Sequence, residues 1–328
     1  MRPSVQILSL ALGLILLIIL AVALGETPLT GAQYHQALIH PGSPEGDVLW
    51  GLRAPRAVMA ALVGAALGLS GAVLQGLLRN PLADPGVLGV SAGGGLGAAL
   101  SIALGLAGAP GAVEASALVG ALGAGGIVVL AAARFREPEA LILFGVALSA
   151  FAGALTALVF NFSPSPVTTA EVLSWLMGSV ANRDLGDILA ALPPMAIGLG
   201  LCLYARPGLL MMTLGEETAA LSGLPMARMR AAAVAGAALL TGAAVAASGV
   251  IGFVGLAAPH LVRSGARNDP AAILAPSALA GAILLVAADL AARMAPTDVE
   301  LKLGVVTALF GAPLFAVIAW RAARSWRG

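Results

Sequence analysis

Residues 4–24 read SVQILSLALGLILLIILAVAL, an apolar run without a single charged side chain. A transmembrane helix needs about 20 predominantly apolar residues, and this run is long enough to cross a bilayer. The small residues Ala21-Val22-Ala23 resemble a signal-peptide cleavage site. The apolar core of a signal peptide is usually only about 7–15 residues long, however. We therefore expect a retained helix at residues 4–24.

The composition extends this expectation to the whole chain. Hydrophobic residues make up 59% of the 328 residues and charged residues 10%, whereas about a quarter of a soluble domain is charged. The formal net charge of +1 argues against a nucleic-acid partner, which would require clustered basic residues. Cys202 is the only cysteine, which excludes an intramolecular disulfide and a multi-cysteine metal site. The sequence predicts an all-α integral membrane protein without a metal site.

Apolar runs recur along the chain, and we interpret residues 1–328 as a single transmembrane domain. Ten transmembrane helices are predicted, counting the first run. The polar residues 26–52 form a turn-rich connection, and Pro193-Pro194 is expected either to kink the sixth helix or to mark its start. The other nine predicted segments are 57–78, 87–107, 112–133, 140–160, 187–205, 229–248, 250–264, 271–292 and 303–320.

Threading ten helices alternately through a membrane sorts the basic residues unevenly. Cytoplasmic connections carry an excess of Lys and Arg, so the richer side is predicted to be cytoplasmic, together with both termini. This places residues 26–52 outside the cell membrane and residues 207–228 inside. The poorer side receives Arg53, Arg56, Arg183, Arg293 and Lys302. The richer side receives Arg2, Arg79, Arg134, Arg136, Arg206, Arg228, Arg230, Arg263, Arg267, Arg321, Arg324 and Arg327.

A phosphate-binding P-loop is absent from the sequence. That motif places Lys after Gly and before Ser or Thr, but the only lysine of the chain, Lys302, follows Leu301. The chain is therefore expected to bind no ATP through a Walker A loop. If transport is driven by ATP, the ATP and its Mg²⁺ belong to a separate ATPase chain.

Three arginines lie on the side that the charge asymmetry disfavours. Arg53 and Arg56 directly precede the second apolar segment, and Arg293 ends the ninth. They could lie at the membrane interface or form salt bridges, for which the candidate partners are Asp289, Asp298 and Glu300. Alternatively, they could form a docking face for an acidic partner outside the membrane.

A tight, proline-bounded connection follows the second segment. It begins with Arg79, Asn80, Pro81 and Leu82 and is followed by Asp84. Such a connection could be a plain turn. If it faced a central pore, its polar side chains would form a narrow constriction.

The longest cytoplasmic connection contains a short predicted helix. Gly215 and Gly223 bracket this helix, and acidic residues stand near its N-terminus, where the helix dipole favours them. It could lie on the membrane surface, or it could receive a push from a motor subunit. Its candidate residues are Gly215, Glu216, Glu217, Ala219, Leu221 and Gly223.

Two other functions are compatible with particular residues. An intramembrane serine protease could use Ser70, which lies in a Gly-x-Ser-Gly pattern, with His260 as its base. Glycine and serine at this spacing are read more simply as helix-packing contacts. An ion- or proton-coupled secondary transporter would need ionisable residues within the bilayer, for which Asp289 is the candidate.

Several runs together resemble the permease subunits of ABC importers for iron-siderophores, haem and cobalamin, which have the type II importer (FecCD-like) fold. The runs appear in order over nearly the whole chain after residue 50, and several exceed ten residues. They lie at residues 53–56, 71–75, 80–91, 175–179, 215–224, 249–263 and 304–315.

The resemblance implies ten helices per subunit and a pair of permease subunits, which we expect to be a homodimer. It also implies two cytoplasmic ATPases and a periplasmic binding protein, in the cell inner membrane. Arg53, Arg56 and Arg293 match the arginines that dock the binding protein. Asn80, Pro81 and Leu82 match the cytoplasmic gate, and residues 215–224 match the coupling helix. The fifth predicted helix and the segment after it, residues 161–179, match the pore-lining region. Lys302 departs from the family, which usually has proline there. No residue selects among the three cargoes.

Overall fold

A computed structural model describes residues 3–25, 27–135, 137–163, 165–212, 216–263, 269–297 and 299–325. The secondary structure of these residues is helical, with no β-strand among them, which confirms the all-α prediction. The α-helices are α1 (Pro3–Ala23), α2 (Gly31–Ile39), α3 (Pro44–Gly46), α4 (Ala54–Leu77), α5 (Val90–Ala103), α6 (Ala112–Arg134), α7 (Pro138–Asn161), α8 (Pro166–Leu176), α9 (Leu185–Met212), α10 (Glu216–Leu221), α11 (Met226–Ser248), α12 (Val254–Val262), α13 (Leu274–Met294) and α14 (Leu303–Ser325).

Each of the ten predicted segments contains a helix, but the helices differ in length. Within the described residues, seven are long and apolar enough to span a membrane: α1, α4, α6, α7, α9, α11 and α13. The apolar helices α5 and α14 are shorter over their apolar parts. α12 has only 9 residues, about 14 Å at 1.5 Å per residue, roughly half the thickness of a hydrocarbon core.

The sixth membrane segment is longer than the sequence predicted. α9 runs from Leu185 to Met212 and passes through Pro193, Pro194 and Pro207. The alternative in which the proline pair marks the start of this helix is therefore wrong. Proline is tolerated inside membrane helices because neighbouring groups can satisfy the backbone carbonyls that it leaves free.

The connection predicted at residues 26–52 is largely helical. Thr30 and Gln33 form a capping box at the start of α2, which satisfies two otherwise free backbone donors. Ser43 caps α3, with Pro44 at the first helical position. A π-helix, Asp47–Arg53, then leads directly into α4. These caps explain why a polar, proline-containing segment folds into helices.

Burial divides the helices into central and peripheral ones. α4 and α11 are buried along most of their lengths, whereas α1 and α7 are largely exposed. Leu8, Leu12 and Leu16 on α1 are all more than half exposed. Apolar side chains in such a continuous exposed band are suited to contact with lipid or another protein.

Small residues let the central helices pack closely. A Cβ atom added to Gly71 in α4 would lie 1.8 Å from the carbonyl oxygen of Gly255 in α12, so only glycine permits this contact. The neighbouring Ser70 accepts a hydrogen bond from the Thr241 hydroxyl on α11 at 3.2 Å, and both residues are buried. α4 is thus fixed to two neighbours at the same level.

The helices define two ends of the bundle. At the first end, which we call the Arg56 end, helices α1 and α13 finish and helices α4 and α14 begin. Arg293 of α13 donates a hydrogen bond there to the carbonyl oxygen of Ala21. At the other, the Asn80 end, α4 and α12 finish. The first turn of α1 lies at the same end, since Gln6 donates a hydrogen bond to the carbonyl oxygen of Val262.

Candidate functional sites at the two ends of the bundle

A buried carboxylate joins two arginines at the Arg56 end. Asp289 on α13 is completely buried, and its Oδ1 lies 2.9 Å from Nε of Arg56 in the first turn of α4. Its Oδ2 lies 3.1 Å from Nε of Arg293, one turn further along α13. The predicted salt bridge to Asp289 is confirmed. Since one negative charge serves two guanidinium groups, this cluster keeps a net positive charge.

Arg53 is buried against the end of α1. It is 6% exposed, and its guanidinium donates to the carbonyl oxygens of Ala23, at 2.9 Å, and Thr27. Its Nε would lie only 2.7 Å from a Cβ atom added to Gly25. The last carbonyls of a helix lack partners within the helix, and positive charge is favourable there. Arg53 therefore caps α1.

Arg293 caps the same helix end from another side. Its Nη2 donates to Ala21 at 3.0 Å and its Nη1 to Leu24 at 3.3 Å. The residue is 7% exposed. The structure thus brings all three predicted docking arginines to one end of the bundle, but it uses Arg53 and Arg293 to hold α1 in place.

A small polar notch opens beside Arg56. The notch has a volume of about 110 Å³, and its lining includes Arg56, Arg293, Thr297 and Glu300. A water molecule occupies about 30 Å³, so the notch has room for a side-chain carboxylate. With a side chain that is 15% exposed, against 5% for Arg293, Arg56 is the more accessible of the two cations.

Glu300 extends the cluster towards α14. Its carboxylate accepts hydrogen bonds from Ser179 and from Lys302, and it lies 3.8 Å from Arg56. Partial burial opposes its ionisation, but these hydrogen bonds and the charges of Lys302 and Arg56 outweigh burial and hold the pKa of Glu300 below its usual value. The sequence indicated Glu300 as a salt-bridge candidate, but it did not indicate Ser179 and Lys302 as the partners of Glu300. Asp298 lies outside the described residues.

The Asn80 loop at the opposite end is fixed by its own side chains. Oδ1 of Asn80 accepts from the Leu82 amide at 2.9 Å, and Oδ1 of Asp84 accepts from the Gly86 amide at 2.8 Å. Asn and Asp favour turns by this kind of local bond. Burial raises the pKa of the Asp84 carboxyl, although the Gly86 hydrogen bond opposes the shift. Pro81, the middle residue of the first turn, is exposed.

Gln75 connects this loop to α12. It is buried, and its amide nitrogen lies within hydrogen-bonding distance of the carbonyl oxygens of Ala83 and Leu256, at 3.3 and 3.4 Å. Its Oε1 accepts from Arg263 at 2.6 Å. A polar side chain inside an otherwise apolar helix was the available sequence signal for this contact. The loop that was predicted as a gate is therefore tied to the end of α12.

The predicted coupling segment contains a short helix. α10 runs from Glu216 to Leu221. Ala219 is buried, whereas Leu221 is 88% exposed, and Gly223 follows with a φ of 74°, in the left-handed region. Gly215 and the side chains of Glu216 and Glu217 lie outside the described residues. The predicted helix is present, with an exposed apolar residue near its end.

The suggested serine protease site lacks support from the geometry of its serine. The Ser70 hydroxyl donates to the carbonyl oxygen of Leu67 at 3.0 Å and accepts from Thr241. Its proton is thus engaged by the backbone of its own helix rather than presented to a base. Among the described residues, no group of three or more His, Cys, Asp and Glu side chains could hold a metal ion.

The fold is that of a membrane permease of the ABC transport class. The profile of the FecCD transport family matches residues 13–321, and the chain belongs to this family. It is 41% identical over 293 residues to the vitamin B12 import system permease protein BtuC of Escherichia coli O157:H7 (strain EC4115 / EHEC), covering 87% of this chain and 89% of that one. BtuC of Shigella flexneri is 40% identical over 291 residues, with the same coverage.

A solved structure supports the same assignment. It is described as an inward-facing conformation of a metal-chelate type ABC transporter, and its chain is 30% identical to this one. The two superpose with a TM-score of 0.84 over 97% of this chain and 99% of the other. The predicted family resemblance is confirmed, and this family is one of transport permeases.

Proposed function

We propose that this chain is the permease subunit of an ATP-driven importer that moves cobalamin or a related metal chelate by alternating access. The observation that carries the proposal is the position of both candidate sites on one helix. Arg56 lies in the first turn of α4, and the Asn80 loop follows its last turn. The 24 residues of α4 span about 36 Å, enough to connect the two faces of a membrane.

In this proposal, ten segments cross the cell inner membrane, with the Arg56 end outside and the Asn80 end in the cytoplasm. The distribution of basic residues supports this orientation, in which both termini would be cytoplasmic. The short helix α12 would lie at membrane depth within the protein, where shorter helices can be accommodated.

The notch at the Arg56 end is suited to a carboxylate of a periplasmic binding protein. Arg56 is the direct contact, and its guanidinium is held in position by Asp289, which also pairs with Arg293. With Glu300 and Lys302 included, three cations face two carboxylates, and this net positive charge would attract an acidic partner and orient it. Arg53 contributes indirectly, because it fixes the end of α1 beside the cluster.

At the opposite end, α10 would couple the permease to a separate ATPase subunit. α10 contacts α9, which packs against the central helix α11. A displacement of α10 would therefore be transmitted through α9 to α11, in the middle of the bundle. The Asn80 loop would form the cytoplasmic gate, and two ATPases and a second copy of the permease would complete the importer.

We propose cobalamin as the first cargo to test, because the curated relatives described above are vitamin B12 permeases. The solved relative is described as metal-chelate type, which keeps ferric siderophores and haem as alternatives. Cargo selection would reside chiefly in the binding protein, and residues 161–179 would line the pathway.

The decisive experiment is transport by the reconstituted complex. The permease, its ATPase and its binding protein are placed in liposomes, and ATP-dependent uptake of labelled cyanocobalamin, a ferric siderophore and haem is measured. We expect uptake of one cargo only when ATP and the loaded binding protein are both present. Uptake driven by a proton gradient without ATP would instead support a secondary transporter.

A matched pair of variants tests the coupling helix. Replacing Glu216 and Glu217 together by Gln should reduce the stimulation of ATPase activity by the loaded binding protein. Replacing Asp47, an exposed acid of the opposite end, by Asn should not. Wild-type stimulation in the Glu216/Glu217 variant would place the coupling contact elsewhere.

A further inference from the structure

We propose that Glu300 is a positioning residue at the Arg56 end of the bundle. It connects the docking notch beside Arg56 to the turn that contains Ser179, where the proposed pore-lining region ends. The inference rests on the proposed function, since it assumes that an acidic partner docks at Arg56. It assigns a role to a side chain that neither docks the partner nor lines the pathway in the proposal above.

Glu300 lies between two groups of residues that no other side chain of the cluster joins. On one side, its Oε1 is 3.8 Å from Nη2 of Arg56, which lines the notch and is held by Asp289. On the other side, the same oxygen accepts a hydrogen bond from Ser179 at 2.5 Å. Its second oxygen accepts from Lys302 at 2.9 Å, which fixes the carboxylate in this bridging position.

The Ser179 turn is itself bound to two helix ends. The Ser179 amide donates to the carbonyl oxygen of Ser248, at the end of α11, at 2.7 Å. The amides of Leu303 and Gly304, at the start of α14, donate to Gly178 and Met177 at 2.9 and 3.0 Å. The turn after α8, the end of α11 and the start of α14 are therefore expected to move together.

The contact between Glu300 and Arg56 is the weakest of those made by Glu300. At 3.8 Å it is an ion pair without hydrogen-bond geometry, whereas the contacts with Ser179 and Lys302 are hydrogen bonds. A carboxylate that enters the notch would compete with Glu300 for Arg56 and would repel it. Docking would thus release the Ser179 turn, with α14, from α4.

The electrostatics distinguish this role from docking itself. Glu300 carries the same charge as the expected partner group. Neutralising it by Glu300→Gln should leave docking unchanged or make it tighter. The same change removes the ion pair with Arg56, so docking would no longer alter the connection between α4 and the Ser179 turn.

The experiment uses the permease with its ATPase in nanodiscs and the binding protein loaded with cyanocobalamin. Two quantities are measured, the dissociation constant of docking and the ratio of ATPase rates with and without saturating binding protein. For Glu300→Gln we expect the ratio to fall about fivefold or more, the low end of typical coupling between sites, with no weakening of docking. Ser179→Ala breaks the other half of the connection and should lower the ratio in the same way.

Asp47→Asn serves as the matched control, since Asp47 is an exposed acid before α4 that is outside this cluster, and it should change neither quantity. An unchanged ratio in Glu300→Gln, or docking that weakens in parallel with the ratio, would overturn the proposal. If Glu300→Gln fails to fold in a thermal assay, Ser179→Ala decides the question alone. A wild-type complex that shows neither docking nor stimulation would instead contradict the proposed function.

Discussion

Gly64 and Gly281 are in backbone contact where α4 crosses α13. A Cβ atom added to Gly64 would lie 2.3 Å from the carbonyl oxygen of Gly281, and one added to Gly281 would lie 2.2 Å from that of Gly64. The contact is reciprocal, so neither residue can be enlarged without separating the helices. These two helices also carry Arg56 and Asp289. The close crossing therefore brings Arg56 and Asp289 within reach of each other.

The Gly64–Gly281 crossing predicts a specific loss of stability. Gly64→Ala should destabilise the protein by about 1–3 kcal/mol, the usual effect of overpacking a close contact, and lower its melting temperature in detergent. Gly123 on α6 provides the matched control, because no atom of a neighbouring element lies within 4 Å of its added Cβ. Gly123→Ala should be neutral or slightly stabilising, since alanine favours helix. Equal melting temperatures for the two variants would contradict the close contact between Gly64 and Gly281.

Asp289 is predicted to be essential for the stability of the arginine cluster. Asp289→Asn leaves Arg56 and Arg293 without their shared counter-charge and should cost about 3 kcal/mol, since removing one partner of a buried pair leaves an uncompensated charge. Glu114→Gln breaks the more exposed pair with Arg183 and should cost less than about 1 kcal/mol. Chemical denaturation or thermal unfolding of both variants compares the two losses.

Arg56 and Arg53 are predicted to act differently although they lie three positions apart. Arg56→Ala should weaken docking of the binding protein about tenfold or more, about 1.4 kcal/mol, because it removes the accessible cation of the notch. Titration of the reconstituted complex with the binding protein measures this change.

Arg53→Ala should instead loosen the end of α1. It removes the donors to Ala23 and Thr27, so hydrogen exchange around residues 20–25 should become faster while docking changes little. If Arg53→Ala weakened docking as strongly as Arg56→Ala in a folded protein, Arg53 would be a direct docking contact and its capping role would be secondary.

The ion pairs of Glu300 predict a dependence of stability on acid pH. Because the pKa of Glu300 is lower in the folded protein than its ordinary value of 4.5, its ionised form stabilises the fold. That contribution is fully present above pH 4.5 and is lost as the pH falls through the lower folded value. Wild-type protein should therefore be more stable than Glu300→Gln near neutral pH, and the difference should vanish in acid. A difference in melting temperature that persisted at the lowest pH would contradict this assignment.

Hydropathy and motifs determined much of this protein without any coordinates. Every one of the ten predicted apolar segments contains a helix, because the preference of a segment for lipid depends on its own side chains. The run from Asn80 and the family resemblance also followed from the local order of residues. The sequence could not give the length of α12 or the continuation of α9 through its prolines, since these depend on the neighbours that satisfy the backbone.

The roles of the arginines were decided only by the tertiary structure. From the sequence, Arg53, Arg56 and Arg293 were equivalent cations on the same side of a membrane. Their partners are distant in the chain: Arg56 and Asp289 are 233 residues apart, and Arg293 reaches the end of α1. Hydropathy is a property of consecutive residues, whereas a buried ion pair depends on which helices cross. The crossing of α4 and α13 leaves Arg56 accessible beside Asp289, whereas Arg53 and Arg293 hold the end of α1.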